Sequence, residues 1–342
     1  MNSMHITPKP EWLRRRLPTG GHYERVRRLL RQGHLHTVCE NACCPNQWEC
    51  YSQNTATFLI LGPVCTRNCR FCAIHKGRPE PVDPQEPLRI ADAARQLGLR
   101  YVVITSVTRD DLPDGGASQF ARTIEAVRNA LPDAGIEVLI PDFQGDASAL
   151  AAVLQARPTV LNHNIETVPR LYPLVRPMAD YRRSLELLAR VSTGQPTGIL
   201  VKSGIMVGLG ESDEEIASTL MDLKRHGCTL VTIGQYLQPS TAHLPVQRYV
   251  RPEQFEAYRA KAIDMGFSGV VSGPFVRSSY HAGTMATPFI AATSEERLSP
   301  HGNGRRSPEE RAEERLPGCG LVQSTMPAGD NHPRRVRSER SE

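Results

Sequence analysis

The sequence holds no stretch near the roughly 20 consecutive apolar residues that a membrane-spanning helix needs. Its N-terminus has no apolar core followed by a small-residue cleavage site, so neither membrane insertion nor secretion by that route is expected. After Phe289 there is no aromatic residue at all. Residues 291–342 carry nine basic and nine acidic side chains among Ser, Pro and Gly, and burial there cannot offset the entropy of ordering. The segment 290–342 is therefore predicted to be a disordered tail, and Cys319 within it is given no role.

A large charge excess is also missing, since 41 basic against 36 acidic side chains leave a formal +5. What excess there is lies in residues 1–31, with eight Lys or Arg, Arg14–Arg16 among them, against Glu11 and Glu24. Its two aromatic residues, Trp12 and Tyr23, are too few to make the interleaved pattern that single-strand binding would require, so nucleic acid is not an expected partner. An acidic protein or a solvated helix face fits the arm.

Cysteine, by contrast, is plentiful and crowded. Of nine cysteines, seven fall between Cys39 and Cys72. An odd number packed into one stretch of a long chain does not suit a secreted disulfide framework. Metal-bound thiolates in a reducing compartment, the cytoplasm, suit it better.

The rest of the chain alternates. Apolar runs rich in β-branched residues at 55–61, 101–105, 136–140, 159–163, 199–207 and 229–235 read as strands. Helical patterns at 88–97, 117–131, 146–156 and 180–191 stand between them, with a capping box at Ser212 and Glu215 and a helix from Pro252. In the first of these helices, Leu88, Ala91, Ala94 and Leu97 read as the buried side. About six βα units with strands buried on both faces predict a partial (β/α)6 TIM-type barrel, open on one side. An open doubly wound sheet is the alternative. The expected division is an N-terminal cluster-binding extension over 1–54, the barrel and its C-terminal segment over 55–289, and the tail. Ligands of either fold bind at the C-terminal ends of the strands. There the candidates are Thr105, Ser106, Asn162, Asn164, Glu166, Arg176 and Lys202, with His163 converging between its two asparagines.

The second cysteine group, Cys65-x3-Cys69-x2-Cys72, offers three thiolates directly after the first strand. Three thiolates hold three irons of a [4Fe–4S] cube and leave the fourth open to a small molecule. Zinc would need a fourth ligand that the spacing does not offer. The first group contains Cys39, Cys43, Cys44 and Cys50, and taken alone it suits a zinc knuckle, an electron-transfer cluster or buried thiols. Cys43 and Cys44 are adjacent, and one of them is expected to be a bystander.

With Phe71 before Cys72, the second group resembles the radical S-adenosylmethionine superfamily. The run Cys39-Glu-Asn-Ala-x-Cys44-Pro-Asn-x-x-Glu-Cys50 ahead of it resembles the lipoyl synthases. So do Arg109-Asp-Asp-Leu, Val138-Leu-Ile-Pro-Asp-Phe, Asn162-His-Asn-Ile-Glu-Thr, Lys202-Ser-Gly-Ile-Met-Val-Gly-Leu-Gly-Glu and Arg277-Ser-Ser-Tyr280. The resemblance covers about residues 8–283.

That resemblance implies S-adenosylmethionine and two [4Fe–4S] clusters. One sits on Cys65, Cys69 and Cys72 and cleaves S-adenosylmethionine to a radical. The other sits on Cys39, Cys44 and Cys50, with a serine of the Arg-Ser-Ser-Tyr motif as fourth ligand, Ser278 or Ser279, of which Ser279 is preferred. It further implies insertion of two sulfurs, drawn from the second cluster, at C6 and C8 of an octanoyl-lysyl group. The implied partners are an octanoylated lipoyl carrier domain of a 2-oxoacid dehydrogenase or the glycine cleavage system, a ferredoxin or flavodoxin-type reductant, and an iron–sulfur carrier for cluster repair. Competing readings are another radical sulfur inserter, a two-cluster electron carrier and a zinc module. The first lacks the upstream cysteine pattern, and the second predicts four cysteines per cluster.

Overall fold

The computed structural model describes residues 9–14 and 21–289. The tail expected to be disordered, together with Arg15 and Arg16, lies outside the described residues. A short turn, Glu11–Leu13, buries Leu13. Helix α1 (His22–Gln32) then buries Tyr23, Val26 and Leu30 along one side and leaves Arg25, Arg28 and Arg31 exposed. Strand β1 (His36–Thr37) leads into two short helices of the first cysteine group, α2 (Val38–Asn41) and α3 (Gln47–Ser52).

The main sheet follows with β2 (Thr57–Ile60). A small ribbon comes next, β3 (Val64–Cys65) with β4 (His75–Lys76). Then α4 (Glu86–Leu97), β5 (Tyr101–Ser106), α5 (Ala117–Ala130), β6 (Gly135–Leu139), α6 (Ala147–Gln155) and β7 (Val160–Asn162) alternate. The series ends with α7 (Tyr172–Val175), α8 (Tyr181–Thr193), β8 (Leu200–Val207), α9 (Asp213–Arg225), β9 (Leu230–Gln235), α10 (Pro252–Asp264) and β10 (Gly269–Gly273). The sheet order is β1-β2-β5-β6-β7-β8-β9-β10, parallel throughout except for β1, which pairs antiparallel with β2. No pairing joins β10 back to β1 among the described residues, so the structure is a partial barrel.

Two sequence expectations need correction. The seventh parallel strand, β10, escapes a reading by apolar runs because two of its five residues are glycine. In α4 the buried side is Ile90, Ala91, Ala93, Ala94 and Leu97, while Leu88 is 61% exposed. The Ser212–Glu215 capping box is present in full, each side chain accepting from the other's backbone N–H.

The register decides what faces the barrel interior, because side chains alternate along a strand. Val103, Glu137, Val160 and Leu200 stand side by side on one face, and two residues further along come Thr105, Leu139, Asn162 and Lys202, the last beside Leu230. The other face carries Ile104, Val138, Leu161, Val201 and Val231 into the helix-covered core. At the strand starts, Val160 and Leu230 pack with Met285 and Ala286 of a helix over 282–289. That helix fills one end of the barrel, and the polar strand exits are left at the other.

Candidate functional site

The loop that carries Cys65, Cys69 and Cys72 is tied to three strand exits. Thr66 N–H and its hydroxyl both donate to the Thr108 carbonyl beyond β5, at 3.0 and 2.9 Å. Arg70 N–H donates to Val175 O at 2.9 Å beyond β7, and Leu244 N–H to Arg70 O at 3.2 Å beyond β9. His243 Nε2 lies 3.1 Å from Cys72 O. Arg67, 4% exposed, anchors the loop: its guanidinium donates to Asp110 at 2.6 and 2.9 Å and to Asp142 at 2.6 Å. The Cys65 sulfur accepts from Thr108 N–H at 3.3 Å and Arg67 N–H at 3.5 Å, contacts that fix its position.

Among the described residues, no three His, Cys, Asp or Glu groups meet at a point fit for a single metal ion. A four-iron cube asks for something different, one thiolate per iron. The thiols answer to that. Burial pushes Cys72 up to about 12, with Cys69 and Cys65 adding to the rise. Burial also raises Cys69; the Arg176 guanidinium draws it back, while Glu166 and Cys65 add to the rise. Cys39 rises through burial first, then through Cys44 and Cys50. Cys39, Cys69 and Cys72 thus resist ionising unless positive charge lies beside them, which iron would supply. Cys43 is exposed and sits at φ 50°, unlike its neighbour Cys44, which is half-buried. Cys228 is fully buried between helix and strand, as a small apolar side chain would be.

A distant segment is tied to the stretch between Cys44 and Cys50. Asn46 Nδ2 donates to Phe275 O at 2.7 Å, and Tyr280 Oη donates to Glu49 Oε1 at 2.9 Å. Between those two ties run Val276 to Ser279. Asn164 Nδ2 donates to Ser278 Oγ at 3.2 Å, so Ser278 is engaged by the barrel. Asn46, Glu49 and Tyr280 are missed by a reading of cysteines alone. The signal for all three is their place inside the motifs that carry the family resemblance.

The strand-exit candidates separate into two kinds. Thr105 donates to Leu139 O at 2.9 Å, and Lys202 makes a fully buried ion pair with Glu137 at 2.7 Å; both are served by the protein itself. Ser106 Oγ, Asn162 Oδ1, Asn164 Oδ1 and Arg176 Nε are buried and have no partner within the protein. Orphaned polar atoms cost stability, and those of Asn162, Asn164 and Arg176 are what a polar ligand would satisfy. Ser106, one step past Thr105, lies on the opposite face of the strand. Arg176 stacks 5.2 Å over the Tyr172 ring and donates to Asn164 O at 2.8 Å. Glu166 stands at φ 67° beside β8 and accepts from Asn164 at 3.1 Å, its acidity weakened by burial and partly restored by Arg176. His163 does not converge with the two asparagines. It faces the helix side, between Ile140 O at 2.9 Å and Ser184 Oγ at 3.0 Å.

Comparison with known proteins agrees with this geometry. A model of the radical SAM superfamily matches residues 59–223, and one described as the N-terminal domain of lipoyl synthase matches residues 4–44. A protein named lipoyl synthase from Rubrobacter xylanophilus is 56% identical over 274 residues, 80% of this chain and 85% of its own. Another from Chlorobium phaeovibrioides is 57% identical over 277 residues, 81% and 97% of the two chains. The chain belongs to the lipoyl synthase family. Membership makes it a radical S-adenosylmethionine enzyme that transfers sulfur, using S-adenosylmethionine and a [4Fe–4S] cluster. Among solved structures, the [FeFe]-hydrogenase maturase HydG from Carboxydothermus hydrogenoformans superposes with a TM-score of 0.50 at 14% identity, over 68% of this chain and 56% of that one, a likeness of fold alone. No helix among the described residues is long and apolar enough to cross a membrane.

Proposed function

We propose that this chain inserts two sulfur atoms, at C6 and C8, into an octanoyl-lysyl group on a lipoyl carrier domain. The observation that supports the reading is the pair of ties, Asn46–Phe275 and Glu49–Tyr280, that joins the Arg-Ser-Ser-Tyr segment to the stretch between Cys44 and Cys50 across more than 200 residues. A trio of cysteines thereby gains a candidate fourth ligand in Ser279.

Cys65, Cys69 and Cys72 would hold a [4Fe–4S] cluster, which with S-adenosylmethionine would supply the radical chemistry that takes hydrogen from the substrate. Asn162, Asn164 and Arg176 bind the polar parts of S-adenosylmethionine through their orphaned atoms, with Ser106 and Glu166 at the rim. Thr105 and Lys202 shape the wall. The cluster on Cys39, Cys44, Cys50 and Ser279 is a substrate, the source of both sulfurs. An alkoxide is a harder ligand than a thiolate and would be held more weakly by the iron of a sulfide-bridged cube, so that corner would be the place to open. Cys43 takes no part. Consumption of the donor calls for an iron–sulfur carrier to rebuild it, and each radical for a ferredoxin or flavodoxin-type electron. These requirements fit the cytoplasm. The exposed arginines of α1 suit an acidic carrier domain.

The test incubates anaerobic, reconstituted protein with S-adenosylmethionine, reductant and an octanoyl-lysyl peptide, and follows both products by mass. Replacing Cys39, Cys44 or Cys50 by alanine keeps 5′-deoxyadenosine and abolishes sulfur insertion; replacing Cys65 abolishes both. A lipoyl product from the Cys39 variant overturns the division of labour.

A further inference from the structure

The loop that carries Cys65, Cys69 and Cys72 bears charge of one sign. From Gly62 to Pro79 the chain holds Arg67, Arg70, Lys76 and Arg78 and no acidic residue. Arg67 is buried and engaged by Asp110 and Asp142. Arg70, Lys76 and Arg78 are exposed, and none of them is ion-paired among the described residues. Arg70 is also fixed in place. Its N–H donates to Val175 O at 2.9 Å and its carbonyl accepts from Leu244 N–H at 3.2 Å, so an exposed charge stands on backbone pinned at two strand exits. Lys76 pairs with Cys65 across the β3–β4 ribbon. The Val175 contact sets Arg70 beside an apolar rim, where Leu174 is 45% and Met178 48% exposed and Pro173 and Pro177 are exposed with them. Apolar side chains next to unpaired cations on a rigid backbone suit a protein interface. The three cysteines lie just under this surface, each partly exposed as a residue although burial raises the Cys69 and Cys72 thiols.

We propose that the surface around Arg70, Leu174 and Met178 is where an acidic electron-carrying protein docks. The proposal rests on the reading of Cys65, Cys69 and Cys72 as the site of the [4Fe–4S] cluster that works with S-adenosylmethionine. Each cleavage takes one electron. The donor protein is oxidised by that electron, and the sulfonium–carbon bond breaks to methionine and the 5′-deoxyadenosyl radical. Electron transfer weakens steeply with distance, so the donor must sit against the surface nearest those cysteines. A carrier domain is under no such demand, because its octanoyl-lysyl arm reaches in for it. Redox encounters bury little area and are steered by charge, which suits unpaired cations around a small apolar rim.

The experiment uses the full chain, anaerobically reconstituted, with S-adenosylmethionine and an octanoyl-lysyl peptide, and follows the initial rate of 5′-deoxyadenosine formation by mass. One arm is driven by limiting flavodoxin kept reduced by its reductase and NADPH. The other is driven by dithionite, which is too small to need a docking surface. Arg70→Glu and Met178→Glu should each slow the flavodoxin arm by about tenfold and leave the dithionite arm at the unaltered rate. High salt should narrow the difference by slowing the unaltered protein. Flavodoxin-driven rates equal to that of the unaltered protein overturn the docking site. So does a loss shared by both arms, because that would report a disturbed cysteine loop. A third arm uses dithionite with an octanoylated carrier domain in place of the peptide. If the variants raise the KM for that domain, the surface belongs to the carrier and the proposal is overturned. Unaltered protein that makes no 5′-deoxyadenosine in any arm overturns the cluster-site reading instead, which separates the two failures.

Discussion

A Cβ built on Gly234 would stand 2.1 Å from the carbonyl oxygen of Val276. Gly234 lies on the inward face of β9, in register with Gly273 of β10, so the Arg-Ser-Ser-Tyr segment crosses the barrel mouth directly over a missing side chain. Gly234→Ala should cost about 1–3 kcal/mol by overpacking against backbone that cannot rotate away. It should also displace Val276–Ser279. Sulfur insertion is expected to fall about tenfold or more, and further than 5′-deoxyadenosine formation does, when both products are followed by mass. Equal losses of the two would place the effect in general stability.

Much of this site is legible in the cysteines. Spacing separates a trio after the first strand from a group before it, and β-branched runs locate six of the seven parallel strands. What pairs Glu49 with Tyr280 is not legible, because 231 residues separate them and only the curling of the sheet brings them together. Strand β10 is hidden by its glycines, which the close crossing of other chain segments favours. The position of His163 is open to a stricter reading of the sequence. Strands alternate, so a residue between Asn162 and Asn164 belongs on the opposite face from both. Leu88 shows the weakness of helical periodicity near a helix start, where one turn gives too few positions to fix the phase.

Arg67 ties the loop that carries Cys65, Cys69 and Cys72 to Asp110 and Asp142, and Asp142 is wholly buried. Burial alone would raise the pKa of Asp142, but the Arg67 bond and charge outweigh it and hold the group at about 2. Arg67→Met should therefore strip the buried carboxylate of its main partner, leaving Arg183 at 3.3 Å, and cost about 3–5 kcal/mol. The reconstituted variant should lose the Cys65–Cys72 cluster preferentially, seen as roughly half the iron and no 5′-deoxyadenosine. Arg67→Lys cannot reproduce the bidentate contact and should restore only part of it.

Lys202 and Glu137 form an ion pair with both side chains 1% exposed, and Tyr101 Oη donates to the far carboxylate oxygen at 2.8 Å. Removing one partner leaves a buried charge, so Lys202→Met should lower unfolding stability by about 3–5 kcal/mol in urea. The pair Lys202→Met with Glu137→Leu should recover most of that loss. If Lys202 instead contacts S-adenosylmethionine, the double variant would regain stability but not cofactor affinity. The structure favours recovery of both.

His163 supplies a test by pH. Burial first, then the Arg176 guanidinium, press its pKa down to about 4, and its two ring nitrogens are already engaged by Ile140 O and Ser184 Oγ. The unfolded chain protonates this ring near pH 6.5, while the folded chain resists until about 4. Between those values the unfolded state binds more protons, so stability falls as pH falls. The contribution of this ring should be complete above about pH 6.5 and smaller by about 3 kcal/mol at pH 4, since each pH step of one across that window removes on the order of 1.4 kcal/mol. His163→Gln has no proton to gain in that window. Urea midpoints measured from pH 7 down to 4.5 should drop less for this variant than for the unaltered protein, and the two curves should approach each other on the acid side. Parallel curves would mean that the ring stays neutral in both states, or charged in both, and that its burial does not govern acid sensitivity.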